Sequence, residues 1–347
     1  MKKIFKNNFL ILFLIFVALP LVLSIYYVNM LSLFLIMGIL ALSLDLIWGY
    51  SGILSFGQGA FFGLGGYVYA ISAMNVLCEV QIRHLSHYNV VNHGGTTYIS
   101  ILLAIIFPAV LAMILGYFLF YAKVSGVYFC IITLSLTLIL QQIVMELVEY
   151  QIGNIPLGGF NGITYVPRIS IGIPFWFYFS LEDPMHFYYF VLFCTTASLV
   201  ICYAICNSPF GSILTAIRDN EIRTESFGYD VRKYKVMVFT ISGALAGLSG
   251  LLYCSWGGFI SPASFDFFLS AETIIWVLIG GRGTLIGAFV GSFLTQVLEN
   301  LLSDILVYYW LLIMGSLFIL IVLLFPKGIM GIIYRLRLSI IGGPKRP

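Results

Sequence analysis

The side chains able to do chemistry are few, and most stand where water is scarce. Asp45, Glu146, Glu272, Arg282 and Glu299 all lie in or beside long apolar runs. An ionisable group costs about 2.5–3.5 kcal/mol at the centre of a membrane-inserted helix, so each needs a physical reason. Asp45 and Glu146 lie near the ends of their runs, which predicts a solvated interface for both. Glu272 opens the run 271–304, and Arg282 interrupts it inside Gly280-Gly281-Arg282-Gly283. These two either pair across the bend or each meet another group, as a structural ion pair or as a substrate contact. A second interruption, GYSGILSFGQGAFFGLGG at 49–66, holds seven glycines together with Ser55 and Gln58. Glycine costs about 1 kcal/mol against alanine in a helix interior. The stretch therefore predicts a helix that unwinds, or one that another helix approaches closely.

Other constellations carry less. His84, His87 and His93 share one loop, but their spacing matches no metal motif, so the reading is a solvated loop and no metal. The six cysteines include no Cys-x-x-Cys pair, and five stand in apolar runs. They read as small buried hydrophobes. No His/Asp/Glu or Cys set has catalytic spacing, so no enzyme is predicted. Leu54-Ser55-Phe56-Gly57-Gln58 superficially resembles the nucleotide-engaging signature of ABC ATPases. No G-x-x-x-x-G-K-[ST] phosphate loop exists in the chain, so it hydrolyses no ATP by that mechanism and binds no cofactor of its own.

The composition names the solvent. Of 347 residues, 61% are hydrophobic and 9% charged, and the net charge is +3. A soluble domain carries about 25% charged residues. The chain is too apolar for a cytosolic enzyme and too weakly charged for a nucleic-acid binder, and its partner is the lipid bilayer. The fold class predicted is an all-α integral membrane protein.

Apolar runs fall at 9–28, 30–48, 60–77, 98–121, 124–148, 187–206, 234–257 and 307–325, besides the broken run 271–304. Each full run must be helical, because lipid offers no partner to backbone N–H and C=O groups. Lys and Arg orient them. With both termini in the cytoplasm, the inside segments 1–8, Lys123, 207–235 and 326–347 hold fourteen of the 17 basic residues. Loop 207–235 and the tail both belong inside, so an even number of crossings separates them. Three apolar runs intervene. The run broken at Gly280–Gly283 then predicts a re-entrant pair dipping in from outside, and the total is about eight full spans plus broken glycine-rich segments.

The two breaks share a character, each joining a glycine cluster to a polar side chain. Corresponding interrupted segments point to a substrate path near the midplane. Gly59/Gly63, Gly243/Gly247, Gly283/Gly287 and Gly287/Gly291 have G-x-x-x-G spacing, which helix packing explains as well as function does. Loop 207–235 predicts an amphipathic helix over 209–226. Ser208 serves as N-cap and Pro209 as first residue. Phe210, Ile213, Leu214 and Ile217 form an apolar stripe that Ile222 would continue, and Gly228 occupies C′. It reads either as a cap on the bundle or as a docking helix for a cytoplasmic partner.

Five stretches carry a resemblance: LTAIRDNEIRTESFGYDVRKYKVMVF (214–239), GYSGILSFGQGAFFGLGGY (49–67), LGGFNGIT (157–164), IIWVLIGGRGTLIGAFVG (274–291) and LFPKGIMGI (324–332). Together they closely resemble permease subunits of the branched-chain amino-acid and urea ABC importers. GGRGTLIGA and GGFNGIT look more like the urea-type branch (UrtC-like) than the leucine-type (LivM-like). The resemblance implies one permease domain over 1–347, multi-pass in the bacterial cytoplasmic membrane. It implies a homologous second permease, two cytoplasmic ATPase subunits that hydrolyse the ATP, and an extracytoplasmic substrate-binding protein. Ile217, Arg218, Asp219, Asn220, Glu221 and Gly228 would form the ATPase-coupling helix. Ile222-Arg223-Thr224 replace the usual Glu-Ala-Ala of that loop.

Urea, small and neutral, suits hydroxyl and amide groups, so Ser55, Gln58 and Asn161 join Glu272 and Arg282 as candidates for the translocation path. Branched-chain amino acids would need an apolar pocket with charge partners, and that alternative stays open. A stand-alone secondary transporter is the other alternative. The string Phe175–Phe179 is too short to span, and it predicts an interfacial belt or a landing surface for the binding protein.

Overall fold

The computed structural model describes residues 16–83, 94–147, 151–152, 155–156, 158–173, 177–305, 315–316, 319 and 328–330. It is a helical bundle. Its helices are α1 (Ile25–Ser51), α2 (Gln58–Arg83), α3 (Gly94–Tyr121), α4 (Val127–Glu146), α5 (Pro184–Cys206), α6 (Pro209–Asp219), α7 (Glu221–Ser226), α8 (Val231–Gly257), α9 (Phe267–Gly280) and α10 (Leu285–Ile305). Among the described residues, six helices are long and apolar enough to cross a membrane: α1, α3, α4, α5, α8 and α10. The all-α membrane class is therefore the one observed. Most of the run 307–325, the histidines at 84, 87 and 93, and nearly all of the tail lie outside the described residues.

Apolar residues surround α1 on every face, and a helix of that kind belongs inside a bundle. Every residue from Phe34 to Ile47 is buried, against α5, α8, α9 and α10. Ser32 returns its hydroxyl to the Val28 carbonyl of the same helix, so its burial leaves no donor idle. By contrast α4 shows large apolar side chains such as Tyr128, Ile131 and Ile139 on its surface.

The bundle is held by small residues. A Cβ on Gly65 would approach Gly247 Cα to 2.5 Å, and one on Gly243 would stand 2.6 Å from Ala112 Cβ. Gly291 and Gly287 admit Gly280 of α9 in the same way. Without a hydrophobic drive between helices in lipid, such close approach supplies the packing energy. The spaced glycines are thus packing surfaces on α2, α8 and α10, while Gly283 lies in a turn.

Two expectations are corrected. The run 9–28 is not one helix over its described part. Leu19–Leu21 form a 310 turn containing Pro20, and Ser24 is extended ahead of α1, so residues 25–28 belong to the next helix. The run 271–304 does break at the glycines, with Gly281 at φ 112° and Gly283 at φ 77°. That turn, however, lies at the end of the bundle, against the last residues of α1, where Gly283 N donates to Asp45 and Arg282 to Trp48 O. A second irregular stretch is 258–266. Strand Phe259–Ile260 pairs antiparallel with Ile163–Thr164, and the 310 turn Pro262–Phe265 follows. α9, with 14 residues, is about 21 Å long and falls short of the about 30 Å hydrocarbon core. The aromatic string 175–179, expected to be too short to span, has its described part in a strand. Phe177–Ser180 pairs with Ser170–Ile173 in a hairpin, with Ile171 opposite Phe179.

Candidate functional site

Two neighbourhoods gather the polar groups. The first is the unwound segment 52–57 between α1 and α2. Gly52, at φ 82°, ends α1 in the left-handed region that favours glycine. The chain then climbs beside α4. Cys130 Sγ donates to Leu54 O at 3.3 Å, Phe56 N donates to Thr133 Oγ1 at 3.1 Å, and Thr137 Oγ1 donates to Phe56 O at 3.1 Å. Helix α2 begins at Gln58, level with Ser43. Ser43 stands eight residues before the end of α1, or about 12 Å up the helix axis. Gln58 is buried and engaged on both sides: Ser43 Oγ donates to its Oε1 at 3.0 Å, and its Nε2 donates to Ser242 Oγ at 3.1 Å. It ties α1, α2 and α8 together. Ser55 is also buried, and its Oγ accepts from Gly57 N at 3.1 Å.

Helix α9 starts at the same level. Gly59 N donates to Ser270 Oγ at 2.9 Å, Asp266 caps Phe268 N, and the rings of Phe56 and Phe267 stack with centroids 6.0 Å apart. Two helix N-termini therefore meet in the interior, as in broken-helix transport sites. Glu272 lies one turn further, and its charged neighbours are Glu299 and Asp266. It forms no pair with Arg282.

The second neighbourhood is the end of the bundle that carries loop 207–235. Ser208 Oγ accepts from Gly211 N at 3.4 Å, with Pro209 next in the chain, so α6 starts as the sequence predicts. The expected single helix over 209–226 is two helices. Asn220 is extended (φ −162°, ψ 104°), and its Oδ1 accepts from Arg223 N at 2.9 Å, ending α6 and capping α7. Leu214 and Ile217 are buried as expected, but Ile222 is 77% exposed and leaves the stripe. Lys235 Nζ meets Glu221 Oε1 at 2.6 Å, fixing α7 to the start of α8. A cleft of about 440 Å³ opens beside it, lined by Lys123, Glu221, Glu225 and Arg232 among others.

Arg218 leaves α6 toward the bundle, and its Nη1 donates to Gly49 O at 2.8 Å. Arg282 Nε and Nη2 donate to Trp48 O at 3.2 and 3.0 Å, and the guanidinium lies 4.8 Å from the Trp48 ring centroid. Asp45 Oδ1 accepts from Gly283 N at 2.7 Å. Asp45 is fully buried, which corrects the expectation of a solvated interface. Helices enclose α1 from Phe34 to Ile47, and the α9–α10 turn closes over its last turns. Burial, and then the like charge of Arg218, hold the Arg282 guanidinium below its ordinary range, with Asp45 opposing.

The structure brings Ser55 and Gln58 together, and Arg218 with Arg282. It places Asn161 apart, exposed in a turn closed by Gly162 N donating to Gly159 O at 3.0 Å. The buried serines and threonines Ser43, Thr133, Thr137, Ser242 and Ser270 escaped the sequence reading. A hydroxyl in an apolar helix reads as neutral there, and only packing reveals which ones converge.

Gly228 follows α7 at φ 88°, with nothing within 4 Å of where a Cβ would stand. Gly228→Val therefore meets no clash, only backbone strain of about 1–2 kcal/mol. If this segment is the ATPase-coupling helix that the family resemblance implies, the variant lowers transport per ATP severalfold with yield unchanged. Reconstituted uptake and phosphate release would measure both, and an unchanged ratio would remove Gly228 from the coupling segment.

Comparison with known proteins gives one family. The model described as "Branched-chain amino acid transport system / permease component" matches residues 26–322. The high-affinity branched-chain amino acid transport system permease protein LivM of Escherichia coli is 29% identical over 332 residues, covering 90% of this chain and 72% of the relative. A probable LivM of Methanocaldococcus jannaschii is 28% identical over 301 residues, covering 78% and 79%. A ribose import permease protein, RbsC of Haemophilus influenzae, is 34% identical over 117 residues, covering 32% and 36%. No solved structure matches the chain.

Proposed function

The chain belongs to the permease-component family of branched-chain amino acid transport systems, and from that premise we propose that it is the membrane-spanning subunit of an ATP-driven importer for branched-chain amino acids. It works without an ATPase site of its own. The observation that carries the reading is the α6–α7 segment. It is anchored inward through Leu214, Ile217 and Arg218, and it shows Ile222, Phe227 and Tyr229 outward at 77%, 76% and 46% exposure. Exposed apolar side chains rimmed by charge suit a protein partner. On this reading they are the seat of an ATPase subunit, and loop 207–235 faces the cytoplasm.

The urea expectation gives way to its alternative for three reasons. Both LivM relatives align along most of the chain. Of the groups expected to serve urea, Gln58 has both ends of its amide taken up by Ser43 and Ser242. The apolar pair Phe56 and Phe267, only partly buried at the same level, suits a branched aliphatic side chain. Non-helical backbone at membrane depth must be covered by protein or line water. The partly exposed segment 52–57 therefore supports a homologous second permease on that face, with the path between the two. An extracytoplasmic binding protein would deliver substrate at the far end.

The test is uptake of labelled leucine in cells lacking this chain and in complemented cells, before and after ATP depletion. Uptake that needs both the chain and ATP, falls with unlabelled isoleucine and ignores urea is the expected result. Suppression by urea would restore the urea-type substrate. Uptake that persists without ATP while an ion gradient remains would instead mean a stand-alone secondary transporter.

A further inference from the structure

Asp45 Oδ2 is buried and has no hydrogen-bond partner, although two guanidinium groups stand close by. Both arginines are held elsewhere. Arg218 reaches the Gly49 carbonyl and Asp219, at 2.8 and 3.2 Å, and Arg282 reaches the Trp48 carbonyl. A buried carboxylate oxygen without a donor is an uncompensated cost. It persists when another arrangement of the same groups satisfies it at some different stage of a cycle.

The three groups sit on three separate elements: Asp45 on α1, Arg218 on α6 and Arg282 on the α9–α10 turn. Glycines make their approach possible. A Cβ on Gly49 would stand 2.7 Å from Gly283 N, and one on Gly283 would stand 3.3 Å from Gly49 O and 3.5 Å from Arg218 Nη1. Arg218 and Arg282 repel each other, so moving α6 changes the balance at Arg282.

We propose that Asp45, Arg218 and Arg282 form a two-position latch, in which Arg282 rests on the Trp48 carbonyl in the state seen here and transfers to Asp45 Oδ2 when α6 is displaced. The three are positioning residues. Displacement of α6 by an ATPase frees the Gly49 carbonyl from Arg218 and relieves the repulsion. Arg282 then slides about one helical turn along α1 to the carboxylate, and it carries the α9–α10 turn with it. Because α9 begins beside Gly59 and Phe56, at the interior break, motion of its far end reaches the path.

This inference rests on the proposed ATP-driven importer, and its test reads a signal independent of substrate. Trp48 is the reporter, because Arg282 lies over its ring. The complete importer in lipid nanodiscs would be compared with its Trp48→Phe counterpart, with and without ATP plus vanadate. The difference spectrum isolates Trp48 emission. Nucleotide is expected to shift it, and Asp45→Asn, which keeps Oδ1 for Gly283 N but loses the charge, is expected to abolish the shift. In the same nanodiscs Asp45→Asn should lower leucine carried per ATP by at least tenfold, and Arg282→Lys should retain part of it. A complex that hydrolyses ATP while Trp48 emission stays constant overturns the latch, whether or not the Asp45 variant assembles. A Trp48 shift in a complex that carries no leucine leaves the latch standing and overturns the substrate reading alone.

Discussion

Gly250→Val is expected to abolish accumulation of the folded protein. Helices α2 and α8 cross at this glycine with their backbones in contact. A Cβ there would strike the Phe62 carbonyl oxygen, lie 2.7 Å from the Phe62 carbonyl carbon and stand 3.1 Å from Gly66 N. Overpacking a core costs about 1–3 kcal/mol when side chains can yield. Backbone atoms inside two long helices cannot yield, and the neighbouring Gly65–Gly247 approach is as close. The cost then reaches about 4 kcal/mol or more, at the upper end for single substitutions. That shifts the folded-to-unfolded ratio roughly a thousand-fold against a stability of about 5–15 kcal/mol. Monodisperse protein recovered after detergent extraction would measure it. Recovery at the wild-type level would mean that α2 and α8 do not cross here.

Gly49→Val should do the reverse, sparing the fold and abolishing transport. A Cβ at Gly49 would lie 2.7 Å from Gly283 N and 2.8 Å from Gly283 Cα. The α9–α10 turn would be pushed off the end of α1, and the bond from Gly283 N to Asp45 would be lost. A hydrogen bond to a charged group contributes about 1.5–3 kcal/mol. The turn is at the edge of the bundle and can give, so extraction yield should stay within about twofold. ATP-dependent leucine uptake should fall at least about tenfold, since each 1.4 kcal/mol of lost coupling is worth a factor of ten. Uptake at the wild-type rate would show that this turn need not touch α1 for transport.

The two substitutions separate the jobs that glycine does in this chain. At 65, 247 and 250 it lets helices approach. At 52, 228 and 281 a positive φ ends a helix, and at 49 it admits a turn that carries polar contacts.

What the amino-acid sequence determined by itself was the solvent and the class. A chain that is 61% hydrophobic and 9% charged has only helices available to it in lipid, whatever its tertiary contacts. The glycine clusters and Pro209 set where those helices stop and start, because backbone freedom and a missing N–H act locally. Residues 214–239 could carry a family resemblance for the same reason, as a string of adjacent side chains. Tertiary structure alone decided which polar groups meet. Asp45 looked like a residue near a helix end, yet it is buried because α1 is enclosed and a turn 238 residues away supplies its donor. Gln58 looked like a group for the translocation path, yet Ser43 and Ser242 take both ends of its amide. Arg282 looked like a group at membrane depth, but the break it occupies folds to the bundle end, onto the carbonyl of Trp48. Hydrogen bonds between elements far apart in the chain depend on how helices cross. Crossings depend on matched small residues on two faces, and no single run of sequence contains both.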